Sequence, residues 1–283
     1  MRFQTLKTTL KTELAHLYPP TETDAMAQIL ISYATGFSSQ QLLYKNTQTL
    51  DSEQQSLVQS FLPRLIAGVP LQYILGETTF FDLQIFVDES VLIPRPETEE
   101  LVALVLKNSR TPAPKNVLDL CTGSGCIALA LKKNLPNAQV FAIDVCENAL
   151  KIAQKNADRL GLNVQFSQAD LLQDALPQLP NFDVVVSNPP YVLHSEQAQM
   201  HVNVLNFEPH LALFVPDDDA LIFYEKIAQI ALEKLNPNGK LFFEINPLKA
   251  TNTIELLQKM GFKNIEPTND LNQKTRFVTA EKP

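Results

Sequence analysis

Asn188-Pro189-Pro190-Tyr191 directly follows the apolar run Phe182-Asp183-Val184-Val185-Val186-Ser187. An asparagine side-chain oxygen and a neighbouring proline carbonyl are both acceptors, and side by side they can hold the two hydrogens of a planar NH2 group. A tyrosine adds a flat face against which such a group can stack. The chemistry in view is work on a planar amino or amide nitrogen. Taken alone, the tetrapeptide fits a proline-rich turn after a strand equally well. Its setting is what matters. The valine-rich run reads as a strand buried on both faces. The two prolines end its ladder and hold the next turn rigid, since neither can donate a backbone hydrogen bond. Asn188 and Tyr191 are then fixed at the carboxyl end of a parallel strand, where open α/β sheets bind ligands.

Other elements complete such a sheet. Asn116-Val117-Leu118-Asp119-Leu120 reads as a short buried strand that runs into Cys121-Thr122-Gly123-Ser124-Gly125 and then a helical stretch from Cys126. Two of only eight glycines fall in this loop, where a backbone must turn tightly and approach a ligand closely. A second strand, Gln139 to Ile143, ends in Asp144, about 20 residues past the glycines, the usual place for an acid that bonds ribose hydroxyls. A helix from Glu147 to Leu160 closes at Gly161, and a third strand, Val164 to Ala169, ends in Asp170. This is a nucleotide-binding half-sheet. With Ala128 in the third glycine position the loop also permits a dehydrogenase, but no lysine follows it, which excludes a P-loop. The order of glycine loop, ribose acid, Asp170 and Asn-Pro-Pro-Tyr resembles the class I methyltransferases that use S-adenosylmethionine on planar nitrogens.

Length and composition agree with one large domain and one small one: 283 residues, 45% hydrophobic. No apolar run is long enough for a bilayer, and Met1-Arg2-Phe3-Gln4-Thr5 lacks a signal-peptide stretch, so no membrane partner is expected. Three cysteines (Cys121, Cys126, Cys146) are spaced for neither a disulfide framework nor zinc, and their odd number favours a reducing cytoplasm. With four scattered histidines, no metal site is expected. A net charge of −8 argues against a nucleic-acid substrate.

Residues 1–75 differ in character. Leu6, Leu10, Leu14 and Leu17 repeat at helical spacing, with Pro19-Pro20 as the stop. Thr21 is the expected cap of a second helix carrying Ala25, Ile29, Leu30 and Tyr33 on one side and ending at Gly36. Ser39–Tyr44 and Ser52–Ala67 read as further helices, giving a small helical domain. Alternation on either side of Asp82, from Leu71 through Val87 and on to Val91-Leu92-Ile93, suggests a linking β-hairpin. Pro94-Arg95-Pro96-Glu97-Thr98-Glu99-Glu100 follows, and taken in isolation its plain reading is a helix start with a threonine cap and acids in the first turn.

Together, Gly76 to Phe81, Leu92 to Val102, Val117 to Leu131 and Ser187 to Tyr191 resemble the release-factor glutamine methyltransferases, over essentially the whole chain. The resemblance implies a Rossmann-like class I methyltransferase sheet in residues 96–283 with one reversed strand near the edge. It also implies a hairpin linker at 76–95 and an all-helical substrate-recognition domain at 1–75. It implies methyl transfer from S-adenosylmethionine, leaving S-adenosylhomocysteine, to the glutamine of the Gly-Gly-Gln motif of class I peptide chain release factors. Asn188 and Pro189 are then expected to accept the two amide hydrogens, with Tyr191 and Pro190 packing on the amide plane. For the cofactor the expected contacts are Cys121, Thr122, Gly123, Ser124 and Gly125 at the methionine part, with Asp119 and Asn188 close by. Asp144 is expected at the ribose, and Asp170 and Leu171 at the adenine. The chain departs from the family at Cys121, where glycine is common. Cysteine there also occurs in related ribosomal-protein glutamine methyltransferases, which makes a ribosomal protein the alternative target. More distant alternatives are an adenine amino-methyltransferase and a non-catalytic binder that has kept the fold.

The carboxyl-terminal part should complete the sheet. Leu221–Leu235 and Ala250–Met260 read as helices, and Gly239–Ile245, Lys263–Pro267 and Thr275–Ala280 as strands. The last two, with no helix between them, must pair antiparallel or sit apart. Phe207-Glu208-Pro209-His210 and Leu211-Ala212-Leu213 resemble a family segment on the substrate side, with a plain loop as the alternative.

Overall fold

A computed structural model describes residues 2–44, 48–109, 113–174 and 176–283. Two compact units emerge: Met1–Leu75 with Val202–Phe207, and Gly76–His201 with Glu208–Pro283.

The first unit is helical: α1 (Phe3–Glu13), α2 (Pro20–Thr35), α3 (Ser39–Tyr44), α4 (Ser52–Ile66) and α5 (Leu71–Leu75). Leu6, Leu10 and Leu14 are buried as their spacing requires. Pro20 begins α2 rather than ending α1, because proline at the first helical position sacrifices no hydrogen bond; Thr21 is not the cap. The buried face of α2 is Met26, Ala27, Leu30 and Ile31, while Ile29 and Tyr33 stay 45% and 44% exposed. Apolar residues surround most of this helix, so periodicity alone selects the wrong face. Asp51 and Gln54 form a reciprocal capping box at the start of α4. Leu71–Leu75 is helical, not part of the hairpin: the Pro70 carbonyl accepts from the Tyr73 and Ile74 amides. The six-residue helix Val202–Phe207, too short for a periodic signal, also belongs to this unit, and Asn203 Nδ2 donates to the Tyr18 hydroxyl at 3.2 Å.

The second unit opens with β1 (Glu77–Phe80) and β2 (Leu83–Phe86), joined through Phe81 and Asp82, both left-handed at φ 47° and 60°. Two consecutive positive φ values match the twist of a tight hairpin. Val91-Leu92-Ile93 is irregular, not a strand. There follow α6 (Pro96–Asn108), β3 (Asn116–Leu120), α7 (Cys126–Asn134), β4 (Gln139–Asp144), α8 (Glu147–Leu160), β5 (Val164–Gln168), β6 (Phe182–Ser187) and β7 (Val192–Leu193). After α9 (Val202–Phe207) come β8 (Phe214–Val215), α10 (Ile222–Lys234), β9 (Leu235–Glu244), α11 (Ala250–Lys259), β10 (Lys263–Asn269) and β11 (Thr275–Glu281).

Seven strands form one sheet in the order β10-β11-β9-β6-β3-β4-β5. β9, β6, β3, β4 and β5 run parallel, and β11 is antiparallel to both its neighbours, so the reversed strand lies one place in from the edge, as expected. Leu118, Phe141, Val185, Phe243 and Val278 share one core with Tyr224 and Ile227 of α10. The central strands are apolar on both faces because helices cover both, which is why they read as continuous runs rather than alternating ones. Among the described residues no helix is long and apolar enough to cross a membrane.

Candidate active site

The sheet reverses its winding beside β3, which pairs with β4 on one side and with β6 on the other. The loops leaving neighbouring strands diverge at such a point and open a crevice at their carboxyl ends. A cavity of about 210 Å³ lies there. Its wall includes Cys121–Ser124 after β3, Asp144 after β4, Asp170 and Leu171 after β5, and Asn188 and Pro190 after β6. Leu92, Arg95 and Thr98, together with Pro209 and Leu211, complete it. Of the segment 207–213, Pro209, Leu211 and Ala212 line the cavity. Asp119, Gly125, Pro189 and Tyr191 are not in its wall.

The loop after β3 is held from both sides. The Thr122 amide donates to the Ile143 carbonyl at 3.1 Å, and its hydroxyl to Asp119 Oδ2 at 2.6 Å. Asp119 therefore lies beneath the loop. Burial, opposed by the Thr122 bond, pushes its carboxyl up to about 7, and its Oδ1 has no hydrogen-bond partner. Gly125 has φ 80°, and a Cβ there would stand 3.0 Å from that of Ala153, so glycine lets α7 and α8 approach. Buried Asn156 of α8 ties this loop to the hairpin: its Nδ2 donates to the carbonyls of Ser124 and Phe86, and its Oδ1 accepts from the Phe86 amide.

Cys121 is left-handed at φ 62°. A side chain in that region costs roughly 1–2 kcal/mol, which is the physical reason glycine suits the position. Cys121→Gly is expected to leave stability unchanged or raise it by up to about 1 kcal/mol, part of the relief being offset by a freer unfolded chain. Cys121→Val, β-branched, is expected to lower it by about 2 kcal/mol. Thermal denaturation of both variants checks this; a loss of about 2 kcal/mol with glycine would show that packing of the thiol outweighs backbone strain.

Asp144 braces the same loop. Its Oδ2 accepts from the Gly123 amide at 2.8 Å and its Oδ1 from the Cys146 amide at 2.9 Å. Burial raises its pKa against these bonds. Each oxygen keeps acceptor capacity for a ligand in the cavity. Asp170 Oδ1 accepts from the Leu172 amide at 2.9 Å, shaping a turn that brings the buried Leu171 to the wall. Carboxylates at two strand ends with apolar surface between them suit a nucleoside: hydroxyls for the acids, a purine for the apolar wall.

The turn after β6 is anchored at each end. The Ser187 hydroxyl donates to the Leu120 carbonyl at 2.6 Å, and the Tyr191 and Val192 amides donate to the Leu213 carbonyl. Asn188 Nδ2 donates to Thr98 Oγ1 at 3.1 Å, and its Oδ1 takes no donor among the described residues. Tyr191 is turned toward the core: its hydroxyl donates to Glu244 Oε1 at 3.0 Å, so its ring is not offered to the cavity as a stacking face. The Thr98 hydroxyl donates to Glu244 Oε2 at 2.8 Å and is not a helix cap; Arg95 is the cap residue of α6. Burial raises the pKa of Glu244, while Thr98, Tyr191 and the Arg276 charge favour its ionised form. Glu208, also buried, accepts from the Arg95 guanidinium at 2.6 Å and from the Ile93 amide at 3.2 Å, fixing the Arg95 loop at the cavity.

Glu244 is a site-building residue that motif reading passes over, while Thr98, read as a cap, and Glu208, read as part of a substrate-side segment, take structural roles the sequence did not give them. A signal for Glu244 is present: a lone acid closing the apolar run Leu241-Phe242-Phe243, the pattern that singles out Asp144. Glu99 of the same acid-rich helix start accepts from the Phe81 amide at the hairpin turn, so that acid serves the scaffold.

Residues 98–207 match the Methyltransferase small domain family, and residues 10–76 match the PrmC N-terminal domain. The chain is 43% identical to a release factor glutamine methyltransferase of Flavobacterium psychrophilum over 98% of both chains. It is 39% identical to the enzyme of that name from Bacteroides thetaiotaomicron, over 96% of this chain and 98% of the relative. A methyltransferase structure from Pyrococcus furiosus shares the fold with a TM-score of 0.53 at 18% identity, covering 82% of this chain and 99% of its own. Similarity of this extent, over a sheet whose carboxyl edge holds this cavity, places the chain in the release factor glutamine methyltransferase family: it is an S-adenosylmethionine-dependent protein-glutamine methyltransferase.

Proposed function

We propose that the glutamine methylated is that of the Gly-Gly-Gln motif of class I peptide chain release factors, and that Asn188 holds its side-chain amide. The observation that carries this reading is the Asn188 side chain: it lines the cavity with its NH2 engaged by Thr98 and its oxygen free to accept. A carboxamide nitrogen is a poor nucleophile because its lone pair is delocalised, so positioning is what the enzyme must supply. When bound, S-adenosylmethionine would supply an electrophilic methyl, to which the amide nitrogen would bond as the carbon–sulfur bond breaks, releasing S-adenosylhomocysteine and one proton to solvent. Asn188 Oδ1 accepts from the amide NH2 and Pro190 packs on the amide plane, both lining the cavity, whereas Pro189 sits behind the wall. Tyr191 acts from behind, keeping the turn in place through Glu244. Asp144 would hold the ribose, Asp170 and Leu171 the adenine, and the Cys121–Ser124 backbone the methionine part, with Gly125 and Asp119 supporting from behind the wall.

Two glycines before the glutamine give its backbone the freedom to protrude into so narrow a turn. Residues 1–75 serve as the recognition domain that grips the folded partner, 76–95 as the linker and 96–283 as the catalytic domain. Binding energy gained far from the amide then favours a folded release factor over a short peptide. A release-factor substrate supports a cytoplasmic location. Mass spectrometry of a class I release factor incubated with enzyme and S-adenosylmethionine is expected to show one methyl on the Gly-Gly-Gln glutamine. A chain starting at Leu71 is expected to keep cofactor binding and lose most of this activity. A methyl found on a ribosomal protein and none on the release factor would overturn the assignment.

A further inference from the structure

The environment of Asn188 decides which end of its amide faces the cavity. Glu244 is 1% exposed, and both its oxygens are engaged, Oε2 by the Thr98 hydroxyl and Oε1 by the Tyr191 hydroxyl. In both bonds the hydroxyl donates and the carboxyl oxygen accepts. The single hydroxyl proton of Thr98 is therefore committed to Glu244, and toward Asn188 the Thr98 oxygen can only accept. Asn188 must present its NH2 to Thr98, as observed at 3.1 Å, and leave its oxygen for the cavity. In the flipped amide an oxygen would face an oxygen with no proton between them, and the asparagine NH2 would meet the NH2 of the incoming glutamine. Both contacts are repulsive.

We propose that Glu244, acting through Thr98, is a positioning residue that fixes the Asn188 carboxamide in the one orientation able to accept the substrate's amide hydrogens. The inference rests on the reading of Asn188 as the amide holder. Arg276 contributes the counter-charge that favours the ionised form of Glu244, and is itself held by Asp270 at 3.3 Å. Tyr191 closes the other side of the carboxylate, so the acid is immobilised by two hydroxyl donors from different elements. Neither Glu244 nor Tyr191 lines the cavity, which makes the arrangement a relay of hydrogen-bond direction rather than a contact with substrate.

Glu244→Gln is nearly isosteric but offers a donor as well as an acceptor, so Thr98 is no longer forced to donate inward. We expect kcat at saturating release factor and cofactor to fall about tenfold or more, with cofactor affinity within about twofold of wild type. Thr98→Val, which removes the hydroxyl, is expected to show the same split, and Thr98→Ser to restore most of kcat. The Thr98→Val/Glu244→Gln double variant should be no slower than the slower single one, since both break one relay. Wild-type kcat in Glu244→Gln, multiplying effects in the double variant, or a loss confined to melting temperature would overturn the inference. Asn188→Ala separates the two levels. Wild-type turnover there removes the parent reading, whereas an inactive Asn188→Ala beside a fully active Glu244→Gln removes only the relay.

Discussion

Asn188→Ala is expected to lower kcat for release-factor methylation by at least about 100-fold while cofactor affinity stays within a few-fold of wild type. The split follows from what each part of the cavity does. The groups assigned to the nucleoside, Asp144, Asp170 and Leu171, leave β4 and β5, while Asn188 leaves β6 on the other side of β3. Truncating Asn188 removes the acceptor that would aim the amide nitrogen, and it leaves Thr98 without the NH2 donor it has at 3.1 Å. It does not touch the loop after β3, whose bonds run to Asp119, Asp144 and Ile143. Single-turnover kinetics with release factor and calorimetry with S-adenosylmethionine measure the two quantities separately. Equal turnover in the variant would sink the proposed mechanism.

Asp144→Ala is expected to act in the opposite sense, through affinity. Loss of charge-assisted hydrogen bonds to the ribose is worth about 2–3 kcal/mol, roughly a 30- to 150-fold rise in cofactor Kd. The structure adds a second contribution. The same carboxylate accepts from the Gly123 and Cys146 amides, so the alanine variant also releases the backbone of the loop proposed to meet the cofactor. Asp144→Asn keeps one acceptor oxygen and can hold only part of this arrangement, so its affinity is expected to lie between wild type and alanine. Titration calorimetry of the three proteins tests this; an unchanged Kd in Asp144→Ala would take the residue out of the cofactor site.

Cys121 illustrates how a residue reads differently once its backbone is known. In the sequence it points toward a ribosomal protein as the alternative target. In the structure it occupies a left-handed position where glycine is the unstrained choice. The difference between the two residues is therefore mainly one of backbone strain. The extended similarity to release factor enzymes, 43% identity over 98% of both chains, decides the family.

What the sequence determined by itself is whatever local chemistry can encode. The strands from Asn116, Gln139, Val164 and Phe182 announce themselves as buried runs, and the helix closed by Gly161 by its cap. Two prolines after β6 announce the rigid turn. The acid at the end of β4 and the glycines after β3 are likewise legible, because strand ends and tight turns tolerate few residue types. Local pattern failed where several local states were nearly equal in energy. Leu71–Leu75 alternates like a strand yet forms a helical turn on the Pro70 carbonyl, and α2 buries Met26 and Ile31 in place of Ile29 and Tyr33. Only the tertiary structure decided which side chains meet. Thr98 and Glu244 are 146 residues apart in sequence, Thr98 and Asn188 are 90 apart, and Arg95 and Glu208 are 113 apart. No short motif contains such pairs, since a buried carboxylate is satisfied by whichever donors the fold brings within hydrogen-bond distance. The turn of Tyr191 away from the cavity has the same cause: its hydroxyl needs a buried acceptor, and Glu244 supplies one from the end of a neighbouring strand.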